Sequence, residues 1–504
     1  MRSEQAAKNL ICSLILQIAT FISGIILPRF LLEAYGPTVN GMVTSITQFL
    51  TYLSLAEAGV GSASVVALYV PLAAKRDDEV NSVLSATRLF YYRSGSIFAA
   101  LVVGLIVIYP YLISNQISSS TARLMIMILA CSTLIDYLFL GKYKALLNAM
   151  QRGYVVATAD MLGVIGNIVF SLTLIKMNAS ILTLKAAVAM VYFFRFILVR
   201  NYVRRKLPNV NFKATPNFEA LSQRGAALLH QIVGIIVNNT DVVIMTIMLG
   251  ARSLIEVSVY GIYNMVVGAL YMLLNAFANG MTAGFGEVIS KKETNTLKTA
   301  YSTFEYFYFM IFTVVCACVG ILLVPFVYIY TINIQGVNYN RLPVAILFII
   351  IIFLQNLRLP GLTMICAAGH FKETRPQAVG EAVINLVISL LLVKKFGMVG
   401  VLFGTVCSHG FRSFETLVYN SKHIVIGSGR KTAGRVMRNF ATVAILCLLG
   451  FKFIPKTVDS FVAWFILAII VGTVCGIIVL VVNYIFEPDE FKNVIRRISG
   501  LLRR

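Results

Sequence analysis

Fourteen runs of mostly apolar residues, each long enough to cross a lipid bilayer, constrain the fold of this chain more than any other feature. A helix needs about 20 such residues to span the hydrocarbon core. The runs lie at about 9–33, 41–70, 94–113, 122–141, 154–175, 181–199, 222–249, 257–286, 302–330, 343–368, 376–393, 397–419, 437–454 and 460–486. Only 13% of the 504 residues are charged, too few to cover soluble domains of this size. The sequence therefore predicts an all-α polytopic membrane protein with 14 transmembrane helices.

The distribution of lysine and arginine predicts the orientation of these helices. With the N-terminus placed in the cytoplasm, thirty of the 43 basic residues fall on the cytoplasmic side, nine on the outer side and four within spans. Cytoplasmic loops carry such an excess in membrane proteins. We therefore expect both termini in the cytoplasm. Most of the net charge of +22 is then explained by the orientation of the helices and by contact with anionic membrane lipids. No nucleic-acid partner is expected.

An internal repeat divides the chain. The segment NIVFSLTLIK at 167–176 aligns with NLVISLLLVK at 385–394, an offset of 218, and similar offsets recur across four spans and one charged loop. An even number of crossings separates the repeats, so both run in the same direction. We predict two parallel six-helix lobes, 1–211 and 219–425, joined by a basic linker. Residues 430–504 add two further transmembrane helices and a basic cytoplasmic tail.

Four segments carry a resemblance to a known family: ILPRFLLEAYG at 26–36, EAGVGSA at 57–63, NNTDVVIM at 238–245 and AAGHFKETRP at 367–376. With the repeat, they resemble the polysaccharide exporters of the MOP superfamily, the Wzx-type flippases. The resemblance implies a transporter of the bacterial cytoplasmic membrane that moves a lipid-linked oligosaccharide to the outer leaflet by alternating access. A multidrug or ion antiporter of the same superfamily is the first alternative, and a lipid II flippase is the second.

Polar residues recur at helical spacing in the first two spans of each repeat, which line the central cavity in the resembling family. Such stripes either face a water-filled path for sugar hydroxyls or hydrogen-bond neighbouring helices. The candidate substrate-binding residues are Gln17, Arg29, Thr44, Gln48, Thr51, Asn238, Asp241, Asn264, Tyr271, Asn275 and Asn279. Arg29 has the planar fork that suits the diphosphate of a lipid-linked sugar. An ion pair with Glu57 or Glu33 is the alternative.

Other ionisable residues within spans are costly and need a partner or a function. Asp160 and Glu381 lie on corresponding stripes of the two repeats and suit either ion coupling or a structural hydrogen-bond network. His230 suits proton coupling or packing, and Arg358 precedes a predicted helix break at Pro360. Arg412 and Glu415 are spaced to pair with each other.

Motifs for nucleotide binding or hydrolysis are missing from the sequence, which contains neither GxxxxGK[ST] nor HExxH. We therefore expect no cofactor, no metal and no enzymatic activity. Outer loops are also too short for a catalytic domain. A gradient of protons or sodium ions, or the supply of substrate, would drive transport.

Overall fold

The computed structural model describes residues 2–57, 59–113, 116–221 and 224–502. Within these helices, the side chains of residues 2–4, 6–7, 224–231, 238 and 497–502 are not described. Two candidate side chains, His230 and Asn238, therefore lie outside the described part. The fold is all-helical, with 87% helix and no strand among the described residues. This agrees with the predicted fold class.

Seventeen α-helices are found in the described part of the chain. The first nine are α1 (Arg2–Leu53), α2 (Val60–Ala73), α3 (Asp77–Leu112), α4 (Ser119–Ile135), α5 (Gly141–Ala149), α6 (Gly153–Lys176), α7 (Ile181–Lys206), α8 (Arg224–Met248) and α9 (Ser253–Ser290). The others are α10 (Thr294–Thr331), α11 (Leu342–Leu357), α12 (Leu359–Ala368), α13 (Arg375–Phe396), α14 (Met398–His423), α15 (Gly429–Phe453), α16 (Phe461–Phe486) and α17 (Pro488–Leu502).

Each predicted span coincides with a helix, or with two helices in succession. Eleven helical stretches of the described chain are long and apolar enough to cross a membrane. One of them, Lys8–Ala73, holds two predicted spans. Many large apolar side chains on these helices are exposed, including Val462 at 70% and Leu448 at 70%. Lipid can cover such surface without cost, so the chain is a multi-pass membrane protein. The count of 14 and the orientation stay predictions.

The chain divides into two compact units, residues 1–261 and 262–504. In the first unit, α1 is broken at Gly36, whose φ of 78° is a left-handed conformation that favours glycine. Pro37 follows and fixes the direction of the second segment. The first unit ends within α9, and α8 packs against α1 inside it. The predicted division into two lobes stays a prediction.

The predicted linker is not a free connection. Residues 207–221, which we name the strap, pack on the first unit. The amide group of Asn81 on α3 bonds the backbone of Asn209 and Asn211, at 3.2 and 2.8 Å. Leu221 is buried, and the ring of Phe218 meets that of Phe90 edge to face, 5.4 Å away. The strap is therefore part of the packed unit.

In the second unit, α13 and α14 form a tight hairpin. The turn uses Gly397 in a left-handed conformation, with φ at 57°. At Gly404 a Cβ atom would lie 2.2 Å from Oγ of Ser389 and 2.8 Å from its backbone nitrogen. Only glycine allows the two helices to approach this closely, as is common in membrane helices.

Candidate functional site

Polar contacts join α1, α8 and the beginning of α9 in the first unit. Asn40 donates to the hydroxyl of Ser258 at 2.9 Å, and the hydroxyls of Ser45 and Thr246 are 2.9 Å apart. A Cβ atom at Gly41 would lie 1.8 Å from the carbonyl oxygen of Leu254. These helices carry all four predicted polar stripes. The structure thus brings part of the predicted span 41–70 together with parts of the predicted spans 222–249 and 257–286.

Three candidate residues follow the second segment of α1. The hydroxyls of Thr44 and Thr51 donate to carbonyl oxygens one turn earlier, at 3.0 and 2.9 Å. Oε1 of Gln48 is enclosed and has no hydrogen-bond partner among the described residues. A buried amide oxygen without a donor is costly. Among the three residues of this stripe, Gln48 is therefore the one whose side-chain oxygen is available to accept a hydrogen bond from a hydroxyl.

Arg29 lies on the first segment of α1 and pairs with Glu33. Its Nε donates to Oε1 of Glu33 at 3.0 Å, and the two side chains are 22% and 27% exposed. Glu57 lies elsewhere, hydrogen-bonded to the Tyr91 hydroxyl and to the backbone nitrogen of Gly61. Of the two partners weighed for Arg29, the structure contains the Glu33 pair, which lies one turn along the same helix.

Gln17 and Asp241 have opposite surroundings. Gln17 is exposed on α1, among exposed apolar residues such as Ile18. Asp241 on α8 is only 3% exposed and accepts a hydrogen bond from the Tyr260 hydroxyl at 3.1 Å. Tyr52 on α1 bonds the neighbouring Thr240. Asp241 thus links α8 to α9, and its role in substrate binding stays a prediction.

An ion network in the first unit connects α4, α6 and α7. The guanidinium of Arg195 bonds Asp160 at 2.9 Å and also bonds Asp136. Lys144 reaches the second oxygen of Asp136 at 3.2 Å. Asp136 begins a π-helical turn, Asp136–Leu140, a widened turn that often occurs at functional sites. Asp160 is therefore ion-paired, and the bridging role of Arg195 was not visible from the spacing.

The α9 stripe continues into the second unit with graded exposure. Asn264, Tyr271 and Asn275 are half-buried, whereas Asn279 is exposed. The charged groups that act on the Tyr271 phenol are those of Arg358 and Glu381. Tyr271 is thus the stripe residue that lies within electrostatic range of a charged network.

That network surrounds Glu381, which is 5% exposed. Its carboxylate bonds Arg358, contacts Nδ1 of His409 at 3.1 Å and lies 3.7 Å from Nε of Arg412. Arg412 also bonds Glu415 at 2.9 Å, as the i, i+3 spacing predicts. The helix breaks between α11 and α12 at Arg358, as predicted from Pro360. The pair of Arg358 and Glu381 therefore holds the break against α13.

The two networks share one arrangement. In each unit an arginine on one helix meets an acid on the helix before it, Arg195 with Asp160 and Arg412 with Glu381. The two arginines, like the two acids, are separated along the chain by nearly the offset of the sequence repeat. The predicted repeat would produce such a similarity, and the repeat stays a prediction. It favours a shared structural role, and ion coupling at these acids stays a prediction.

A third network, missed from the sequence, fixes α15 and α17 to α10. Arg435 is 1% exposed and bonds Glu305 at 2.9 Å and Glu487 at 2.6 Å. Arg438 bonds Glu487 at 2.9 Å, and Lys431 bonds Glu490 at 2.7 Å. These partners are far apart along the chain, so no local spacing predicts them.

This third network shifts the pKa of Glu487, which follows the end of α16. Burial opposes the ionisation of its carboxyl. The hydrogen bonds and charge of Arg435 and then of Arg438 outweigh burial, so the pKa of Glu487 lies below its usual range.

Among the described residues, no group of three or more histidine, cysteine, aspartate or glutamate side chains could hold a metal ion.

Comparison with solved structures shows which known proteins have this fold. The lipid II flippase MurJ, in an inward closed conformation, matches with a TM-score of 0.67 at 15% identity, over 94% of this chain and 99% of that chain. An inward-facing multidrug resistance MATE family transporter of the MOP superfamily matches with a TM-score of 0.63 at 14% identity, over 86% of this chain and 99% of that chain.

A MOP superfamily transporter from Pyrococcus furiosus matches with a TM-score of 0.59 at 13% identity, over 86% of this chain and 96% of that chain. No protein-family model matches the sequence, and no curated protein is significantly similar to it. At identities of 13–15% the likeness shows the fold alone.

Proposed function

We propose that this protein is a flippase that moves a lipid-linked oligosaccharide from the cytoplasmic to the outer leaflet for surface polysaccharide synthesis, by alternating access. The observation that carries the proposal is the surface of α1. Along this helix, exposed Gln17 lies among exposed Leu10 and Ile18, and Arg29 follows further along. A lipid-linked sugar offers matching chemistry, with hydroxyls, a phosphate group and an apolar tail.

The matching of the C-terminal segment also favours a flippase. The MurJ match covers 94% of this chain, and the part that it leaves out is smaller than the segment 430–504. The match therefore extends into the two additional helices. The MATE match covers 86% of this chain, and the part that it leaves out is nearly as large as that segment. At least part of the C-terminal segment is thus matched by a protein described as a lipid II flippase.

A multidrug or ion antiporter is the second candidate, favoured by the MATE fold match and by buried acids in both units. Transport would then depend on a proton or sodium gradient. A lipid II flippase is the third, favoured by the MurJ match. The three differ in what they carry, so direct transport distinguishes them.

The experiment uses the purified full chain in proteoliposomes that contain a fluorescent lipid-linked oligosaccharide. Flipping is measured as the fraction of label that becomes protected from, or accessible to, a membrane-impermeant quencher. Lipid II and a cationic dye are assayed in parallel, each with and without a proton or sodium gradient. Transport of the oligosaccharide alone supports the proposal. Transport of the dye alone, by folded protein, would replace it with the antiporter.

A further inference from the structure

One basic cluster of the first unit, with two half-buried and two exposed cations, has no carboxylate partner among the described residues. It consists of Arg88 on α3, Lys142 on α5, and Arg200 and Arg204 on α7. None of the four forms an ion pair with any described carboxylate, whereas Arg195, Arg358, Arg412 and Arg435 all do. The charges of Arg88 and Arg200 act on Lys142, and those of Arg200 and Arg204 act on the adjacent Tyr143.

Aromatic rings lie against Lys142 and Arg88, the two half-buried cations of this cluster. Nζ of Lys142 lies 5.6 Å from the ring of Tyr92, 5.3 Å from that of Tyr143 and 5.4 Å from that of Phe212. The guanidinium carbon of Arg88 is 5.5 Å from the Tyr92 ring. Rings within about 6 Å attract a cation, but each contributes only about 0.5–1 kcal/mol at such sites. They hold the cations in place without neutralising them.

The strap completes the cluster. Arg88 donates from Nη1 to the carbonyl oxygen of Phe212 at 3.1 Å. Its Nε is buried and has no acceptor among the described residues. A guanidinium nitrogen that is buried without an acceptor is costly, so this position suits an incoming oxygen anion. The strap thus forms one side of a site whose other sides are α3, α5 and α7.

We propose that Arg88, Lys142, Arg200 and Arg204 form a binding site for a phosphate group. The cluster lies at the ends of the predicted spans, on the side where the basic residues concentrate. Basic pockets at that level of a membrane protein bind the phosphates of anionic headgroups. A soluble phosphate has the same chemistry and is the other source. The site is separate from the polar stripes, so its outcome is independent of which substrate is transported.

The test compares the wild-type full chain with the double variant Arg88→Gln/Lys142→Gln, each in nanodiscs. One arm titrates phosphatidylglycerol into phosphatidylcholine and counts bound lipid by native mass spectrometry. The other adds pyrophosphate to pure phosphatidylcholine discs, with sulfate at equal ionic strength, and follows thermal stabilisation. A charge near the surface is worth about fivefold in binding, so the double variant should bind about 25-fold more weakly. The control Arg205→Gln/Lys206→Gln removes the same charge from α7 outside the cluster. It loses the same general attraction to the surface but no site contact, so it should weaken binding less than the double variant does, and an equal loss in the two variants would overturn the site.

Each result decides the proposal. Loss of lipid binding in the double variant alone supports a headgroup site, and loss of pyrophosphate stabilisation alone supports a soluble phosphate. If the double variant fails to fold, Arg200→Gln, at an exposed position, should still weaken binding about fivefold. Equal binding by the wild type, the cluster variant and the control in both arms would overturn the site.

Discussion

Replacement of Arg435 by methionine removes a charge from the most enclosed ion network of the second unit. Methionine keeps much of the side-chain volume, so the change is mainly electrostatic. Glu487 retains its bond to Arg438 at 2.9 Å. Glu305, 2% exposed, retains only hydroxyl donors, from Tyr301 and Thr432 at 2.8 Å each. One buried carboxylate is therefore left without a counter-charge.

The expected loss of stability follows from this unpaired buried carboxylate. Removing one partner of a buried ion pair destabilises a protein by about 3–5 kcal/mol, whereas replacing both partners is often close to neutral. Arg435→Met should therefore lower the free energy of unfolding by about 3–5 kcal/mol, and the further change Glu305→Gln should restore at least about 2 kcal/mol of it. Lys431→Gln on the same helix, where the lysine is 49% exposed, should cost at most about 1 kcal/mol.

The single tryptophan provides the assay. Trp464 on α16 packs against Phe326 of α10, with ring centroids 5.3 Å apart, and its indole donates to the Leu322 carbonyl at 3.4 Å. Its fluorescence therefore reports separation of α16 from α10 during denaturant titration in detergent. If Arg435→Met lost no more stability than Lys431→Gln, or if Glu305→Gln failed to rescue it, the charge-burial reasoning would be refuted.

Three further predictions concern pH, packing and transport. Because the pKa of Glu487 is lowered in the folded protein, its ionised form stabilises the fold at pH values above the ordinary glutamate pKa of about 4.3. This stabilisation should be lost as the pH falls through the lowered pKa of Glu487. Glu487→Gln should therefore reduce the dependence of unfolding free energy on pH in that range, as measured by tryptophan fluorescence. Gly41→Ala should destabilise the first unit by about 1–3 kcal/mol or more, because its Cβ would meet the Leu254 backbone, whereas Gly24→Ala meets nothing within 4 Å and should not; equal thermal stability would contradict this contact. Arg29→Gln should slow oligosaccharide flipping about tenfold or more, with Arg29→Lys retaining part of the rate; unchanged flipping by both variants would exclude a phosphate contact.

Features governed by local chemistry could be predicted from the sequence. Hydropathy located the helices because each span must satisfy its own backbone in lipid. The break at Arg358 followed from Pro360, and the pair of Arg412 and Glu415 followed from i, i+3 spacing. In each case the determining residues lie within one or two turns of each other.

Features that depend on distant packing could not be predicted. Arg435 meets Glu305, and Arg195 meets Asp136, across long stretches of intervening chain. The basic residues in and before the strap predict a linker between the lobes. Phe212 and Phe218, two aromatic residues in a polar segment, were the available signal that it packs. Asp241 sits on a polar stripe, and only the structure shows that Tyr260 occupies it.

The most direct test of the central claim is the flipping rate of a defined lipid-linked oligosaccharide in proteoliposomes of the wild-type chain. The matched control is Arg76→Gln, which removes an exposed pair with Glu79 comparable in spacing to the pair of Arg29 with Glu33. We predict flipping well above empty vesicles for the wild type and for Arg76→Gln, and a slower rate for Arg29→Gln. Protein that is folded by tryptophan fluorescence yet flips no more label than empty vesicles would contradict the account.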